Sequence, residues 1–287
     1  MNLTSHSNAS EFLAVAEASL MRDEAKNNLI LGVAGRVREG GCYGDDPSSF
    51  LTVDVDGAPI AVAIRTPPYP LIFHCEQNRS EVLEVLIDHL LAADPQLPGV
   101  NGEARAAAAF AKLWTKRSKA RAQLGMQMRI YCLREVVRPA GVPGRMRFAE
   151  KEDIDLLTGW MLGFHAEAVP GDPPTDPRKA VLRFMESGTL TVWDDSGPVS
   201  MAGSSRGSTN GATVSAVYTP PGHRGRGYAS ACVAALSQVL LDRGSAFCTL
   251  YADLSNPTSN TIYQRVGFRP VADAATYVFT APGSGMN

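Results

Sequence analysis

The chain has 287 residues, of which 45% are apolar and 20% charged, and its formal net charge is −2. That length and composition suit a globular protein of one or two domains. Charges of both signs are spread evenly and form no basic stripe, which excludes nucleic acid and an anionic membrane surface as expected partners.

In chain order, residues 11–21 and 28–37 carry apolar side chains at three- and four-residue spacing and are predicted helices. Residues 51–55 and 60–65 alternate around Asp56-Gly57, a hairpin signal. A short apolar strand follows at 71–74. Helices are predicted at 81–92 and 103–114, with an extended piece at 99–102 between them, and a strand at 126–133. Residues 138–144 (Arg-Pro-Ala-Gly-Val-Pro-Gly) then break every pattern. We take 138–145 as a linker between domains at 1–137 and 146–287. Beyond it the spacing predicts a strand at 146–149 and a helix at 152–166, favoured at its start by Asp153 and Asp155. A proline-rich loop occupies 170–177, followed by a helix over 177–186. Strands at 189–193 and 199–204 pair across Asp195-Ser196-Gly197. The remaining elements are a strand at 212–218, a helix at 229–241, a strand at 246–252, a helix after Asn256 and a last strand near 277–279.

Cys42, Cys75, Cys132, Cys232 and Cys248 are odd in number and never form a C-x-x-C pair. They read as buried thiols of a reducing compartment, without disulfides and without a metal. Residues 2–10 are polar with no leader pattern, and no apolar run approaches the roughly 20 residues of a membrane span. A cytoplasmic protein is expected.

The most informative stretch is His223-Arg224-Gly225-Arg226-Gly227-Tyr228-Ala229-Ser230. An apolar strand and the break Pro220-Pro221-Gly222 precede it, and an unbroken helical pattern follows. Strand, glycine-rich turn and helix aim backbone N–H groups and a helix N-terminus at an anion. Gly225 and Gly227 admit a ligand close to the backbone, and Arg224 and Arg226 add fixed positive charge. The expected ligand is a diphosphate. The glycines at 222, 225 and 227 do not have the G-x-G-x-x-G dinucleotide spacing, and no Gly-Lys-Ser/Thr follows as in a Walker loop.

The loop does read as Arg-x-x-Gly-x-Ala (Arg224, Gly227, Ala229), which resembles the pyrophosphate motif of the GNAT superfamily of acyl-CoA N-acyltransferases. A second block, Asn256-Pro257-Thr258-Ser259-Asn260-Thr261-Ile262-Tyr263-Gln264-Arg265-Val266-Gly267-Phe268, resembles that family's next one: an Asn at a strand end, a helix with a Tyr, then Gly-Phe. The resemblance covers roughly residues 146–280, and the element order after the linker is that of the family. It implies an α/β (α+β) fold in which a mixed, mostly antiparallel twisted sheet is flanked by helices. The first half has a similar order, so we expect tandem GNAT-like domains. At the place of the phosphate loop, however, the first half has Cys75-Glu76-Gln77-Asn78-Arg79-Ser80, with no glycine and with a carboxylate. That half is expected not to bind a diphosphate; an unrelated α/β packing domain is the alternative.

The resemblance implies acetyl-CoA as co-substrate. Backbone groups of Val217, Tyr218 and Thr219 would pair with the pantetheine arm, and Arg224, Gly225, Arg226, Gly227, Tyr228, Ala229 and Ser230 would hold the pyrophosphate. An N–H near Tyr218 would stabilise the thioester oxyanion, and Asn256, Ser259 and Tyr263 would contact the cofactor. Tyr263 is the candidate acid for the departing thiolate, or else a hydrogen-bond donor that transfers no proton. Asn256 also suits a turn before Pro257, and Ser259 and Asn260 suit a helix cap. Many family members carry a Glu on the central strand; here Thr213, Ser215 and Val217 alternate instead. The base is therefore open between Asp253, Glu167, His165 and a water chain. Trp160, Phe164 and Tyr251 are candidates for an acceptor pocket or for core.

The function so implied is an N-acetyltransferase acting on a small primary amine in a ternary complex, as monomer or homodimer. A non-catalytic acyl-CoA-binding or regulatory protein is the alternative, because of the missing Glu. The proline-rich segment 169–177 is the expected specificity element, and the acceptor itself is not readable from these residues.

Overall fold

The computed structural model describes residues 1–76, 79–173 and 175–281. The chain divides into two compact units, Met1–Met128 with Ala272–Asn287, and Arg129–Val271.

The first unit opens with a strand that the sequence pattern did not announce, β1 (Asn2–His6), because its side chains are mostly polar and exposed. It pairs antiparallel along the edge strand's neighbour, from Asn2 opposite Asp54 to His6 opposite Phe50. Helix α1 (Ala9–Leu20) starts where the Asn8 side chain accepts from the Glu11 amide at 3.0 Å. Helix α2 (Asn28–Arg38) follows, then β2 (Ser49–Val55) and β3 (Ala58–Arg65). Asp56 and Gly57, at φ 51° and 80°, turn that hairpin, the geometry Asp-Gly favours. Then come β4 (Leu71–Cys75), α3 (Ser80–Ala93), β5 (Gly99–Glu103), α4 (Ala104–Ser118) and β6 (Arg121–Leu133). Along β3, Ala61 and Ala63 bury on one face with Leu86 and Phe110, while Val62 and Ile64 bury on the other with Phe12 and Leu31. Helices therefore cover both faces of β3, and residues 61–64 are buried without alternation.

The second unit contains β7 (Arg145–Phe148), α5 (Ile154–Ala168), α6 (Pro177–Glu186), β8 (Leu190–Asp194), β9 (Pro198–Gly207), β10 (Gly211–Tyr218), α7 (Tyr228–Asp242), β11 (Phe247–Asp253) and α8 (Pro257–Val266). The last strand is β12 (Arg269–Thr280). Arg147 on β7 holds the fold of this unit at its start. Its guanidinium donates to both oxygens of Asp153 at 2.6 and 2.9 Å and to Asp194 at 2.9 Å. These bonds hold both carboxyls below their ordinary range. One face of the sheet buries Cys232, Leu236, Leu250, Val266 and Phe268 under α7 and α8, and the other buries Leu157, Trp160, Val181 and Phe184 of α5 and α6.

The two units repeat one order. In the first the strands run β1-β2-β3-β4-β5-β12, and in the second β7-β8-β9-β10-β11-β6. In each, successive antiparallel pairs end at one parallel pair, β4 with β5 and β10 with β11. The sixth strand is where the sequence division needs correction. Residues 272–280 complete the first unit, with Ala274 to Val278 paired to β5, and residues 129–133 belong to the second. The expected linker 138–145 lies inside the second unit: Pro143 accepts from the Trp193 indole at 2.7 Å, and Arg145 already opens β7. Proline and glycine bar residues 138–144 from helix and sheet, yet nothing bars them from docking. Of the segments singled out above, Gln77, Asn78 and Pro174 lie outside the described residues.

Candidate active site

Strands β10 and β11 pair only from Gly211 opposite Phe247 to Thr213 opposite Thr249, although β10 runs on to Tyr218 and β11 to Asp253. Beyond that point they part. The other edge of β10 is irregular, with register shifts between Thr213 and Val214 and between Ser215 and Tyr218. Within the second shift Ala216 sits at φ 51° while only 2% exposed. A buried non-glycine residue held in the left-handed region is a bulge that re-aims the backbone groups of 217–219.

The loop that follows has the conformation its glycines require, with Gly225 and Gly227 at φ 78° and 83°. Gly227 is also the N-cap of α7 and contributes no side-chain bond, so the first amides of that helix are uncapped. A Cβ at Gly225 would meet nothing within 4 Å, whereas one at Gly227 would meet a Val142 methyl at 2.9 Å. Tyr228 anchors the turn: its ring is 3% exposed and its hydroxyl donates to Asp195 at 2.5 Å. That bond to a carboxylate pushes the phenol's pKa up, and the Arg226 guanidinium beside it works the other way. Ala229 and Ser230 are half-buried in the same first turn. Amides without a cap, two glycines and the Arg226 guanidinium make a setting of the kind that can take an anion.

The arginines differ. Arg226 lies beside Tyr228. Arg224 turns back, its Nε donating to the Thr219 carbonyl at 2.9 Å and its Nη2 to both oxygens of Glu167 at 2.9 and 2.7 Å. Its guanidinium lies 5.7 Å from the centre of the Tyr218 ring, whose hydroxyl donates to Glu167 at 3.3 Å. The Thr219 hydroxyl meets Ser200 at 2.8 Å, and Ser200 also donates to the Tyr218 carbonyl at 3.2 Å.

At the second motif Asn256 is the helix cap, accepting from the Ser259 amide at 3.1 Å. Asn260 ties the strand end to the helix, donating to the carbonyls of Asp253 and Asn256, both at 2.7 Å, and accepting from Tyr131 at 2.8 Å. Tyr263 is half-buried between Tyr131 and Phe268, with ring centroids at 6.4 and 6.1 Å. Its hydroxyl makes no hydrogen bond among the described residues, and burial pushes its pKa up to about 12.

The candidate bases occupy different settings. Asp253 has both oxygens engaged, by the Ser255 amide at 2.8 Å and the Ser255 hydroxyl at 2.7 Å. His165 lies at 3.4 Å from Thr175. Glu167 contacts β10 through the Tyr218 hydroxyl. Trp160 is 8% exposed and belongs to the core, with Phe164 packed against it. Sequence reasoning missed the Arg224–Glu167 and Tyr228–Asp195 contacts. Their partners lie 57 and 33 residues apart, and no local pattern marks such pairs.

All five cysteines are free thiols, but only Cys75, Cys232 and Cys248 are buried as expected; Cys132 is half-buried and Cys42 is exposed. Among the described residues, no helix is long and apolar enough to cross a membrane, and no group of three or more His, Cys, Asp or Glu gathers as a metal site.

Residues 196–278 match the family described as FR47-like protein. A comparison with curated proteins finds no match. Several solved structures are similar over nearly the whole chain. An acetyltransferase of the GNAT family from Colwellia psychrerythraea shares 12% identity at a TM-score of 0.59, covering 98% of this chain and 100% of that one. A GCN5-related N-acetyltransferase from Sphaerobacter thermophilus shares 16% at 0.62, over 99% and 98%. A tandem GNAT protein from the clavulanic acid biosynthesis pathway shares 13% at 0.57, over 99% and 100%. At such identities the likeness is one of fold: the chain has the GNAT acetyltransferase fold in its tandem form, and residues 196–278 carry the FR47-like pattern within it.

Proposed function

We propose that the chain is an acetyl-CoA-dependent N-acetyltransferase that acylates a primary amine of a small molecule in a ternary complex. The observation that carries this reading is the uncapped, glycine-led start of α7 placed at the end of a strand that parts from its neighbour. Acetyl-CoA, as co-substrate, supplies an acetyl group activated as a thioester.

In this reading the amides of Gly225 to Ala229 and the two arginines bind the diphosphate, with the helix dipole adding about 0.3–1 kcal/mol. Backbone groups of Val217, Tyr218 and Thr219, re-aimed by the bulge at Ala216, pair with the pantetheine amides. An N–H beside Tyr218 faces the thioester oxygen and stabilises the negative charge that develops there. Tyr263 keeps its proton at neutral pH because burial raises its pKa to about 12, so it is always available as a donor to the departing thiolate. Asn256 and Ser259 fix the start of α8 and hold Tyr263 in place from one turn away.

The first unit is proposed as a GNAT-like half without a cofactor site. Its β4–α3 connection places Glu76 in an ion pair with Arg22 at 3.0 Å, a carboxylate where the second unit has glycine.

Calorimetric titration with acetyl-CoA, paired with thiol release across a panel of amines, tests the reading. One site per chain is expected, lost in Gly227→Glu, whose side chain would strain φ and crowd Val142. A melting curve checks that this variant folds. Undiminished affinity in Gly227→Glu would overturn the site assignment, and binding with no thiol release would leave an acyl-CoA-binding protein.

A further inference from the structure

Glu167 stands in an unusual position for a surface carboxylate. It ends α5, where the helix dipole is negative and a carboxylate is disfavoured. It is nevertheless registered against the strand that parts from β11. Gly163, one helical turn earlier, lies against the hydroxyl end of Tyr218, and that hydroxyl reaches Glu167 at 3.3 Å. The charge is compensated by Arg224, which spends its Nη2 group on both carboxylate oxygens while its Nε stays on the Thr219 carbonyl. Arg224 is also the arginine that opens the diphosphate loop. One guanidinium thus faces two claimants.

We propose that Glu167 and the diphosphate of the cofactor compete for Arg224, and that the carboxylate released on cofactor binding holds the cationic end of the amine acceptor. The inference rests on the cofactor reading above. A diphosphate carries more charge than a carboxylate and matches the planar fork of arginine as well. Anchored by Nε to Thr219, the guanidinium turns toward the loop without leaving its place. Glu167 is then an unpaired carboxylate at the negative end of α5, a setting that favours an ammonium group. Tyr218 keeps it aimed along β10. Asp253 cannot serve in the same way, because Ser255 engages both its oxygens. Cofactor and acceptor are therefore coupled, and the coupling is reciprocal.

The test is calorimetry of coenzyme A with wild type, Glu167→Gln, Arg224→Met and the double variant. Removing the competing carboxylate is expected to tighten coenzyme A about two- to fivefold, the worth of a half-exposed ion pair. The gain should vanish when Arg224 is already Met. In steady-state assays Glu167→Gln is expected to raise KM for cationic amines several-fold while kcat stays within about threefold. Unchanged or weaker coenzyme A binding in Glu167→Gln, or a gain that persists without Arg224, would overturn the competition. Equal use of neutral and cationic amines by wild type, or a loss of kcat at unchanged KM, would overturn the acceptor role. Absence of coenzyme A binding in every form would overturn the cofactor reading, and this inference with it.

Discussion

The hydroxyl end of Tyr218 abuts Gly163: a Cβ on residue 163 would come within 2.5 Å of the tyrosine oxygen and 2.6 Å of Cζ. This contact sets the end of β10 against α5 and aims the Tyr218 hydroxyl at Glu167. Gly163→Ala sets two effects against each other. Alanine raises helix propensity by about 1 kcal/mol, but its methyl displaces the half-exposed ring. The melting midpoint is expected to move by less than about 4 °C, while KM for the amine rises several-fold. Wild-type kinetics in Gly163→Ala would show that the contact has no bearing on the acceptor.

Tyr263 offers a prediction with a definite sign in pH. Burial raises its pKa from an ordinary value near 10 to about 12, so the neutral phenol persists through the working range. No alkaline loss of kcat from this group is expected below about pH 11. Tyr263→Phe should lower kcat about 10- to 100-fold and change KM for acetyl-CoA little. For stability the raised value acts in the same direction. The unfolded chain loses this proton near pH 10 and the folded chain only near 12, so the contribution is complete below pH 10 and is lost between those values. Urea denaturation of wild type and Tyr263→Phe across pH 8–12 measures the difference.

Arg147 is expected to matter for folding and for acid resistance. Asp153 is 6% exposed and takes two of the guanidinium's bonds, so Arg147→Met leaves a buried carboxylate uncompensated. A loss of about 3 kcal/mol is expected. In wild type Asp153 and Asp194 titrate below their ordinary value of 3.8. Their contribution is therefore present above about pH 4 and lost as pH falls through the lowered folded values. Denaturant midpoints of wild type should fall more steeply below pH 4 than those of Arg147→Met.

The exchange of terminal strands predicts which end of the chain supports which unit. Phe279 stacks on Trp114 at 5.5 Å and packs at 6.4 Å from Phe110, and Ala275 is 1% exposed in the same core. A chain ending at Val271 should lose amide-exchange protection in β5 and α4 of the first unit while the second unit keeps its own. Equal loss in both would contradict the division. A chain beginning at residue 145 should fail in the other half, because it lacks Tyr131 and Leu133, which are 0% and 1% exposed in the second core.

What was legible in the sequence was local. Pro220, Pro221 and the glycines at 225 and 227 restrict or free their own dihedrals, so the turn into α7 follows from those residues alone. The helical spacing of 229–241 and the alternation of 212–218 likewise name which face is buried. They cannot name the partner against which it is buried. That is why composition places a linker at 138–145, where the folded chain docks that segment on Trp193. It is also why β12 was assigned to the half that precedes it. The pairing of Arg224 with Glu167, the seat of Tyr218 on Gly163 and the parting of β10 from β11 depend on contacts between distant segments. Each is decided only when the sheet brings those segments together, since a side chain's charge is written in the sequence and its neighbours are not.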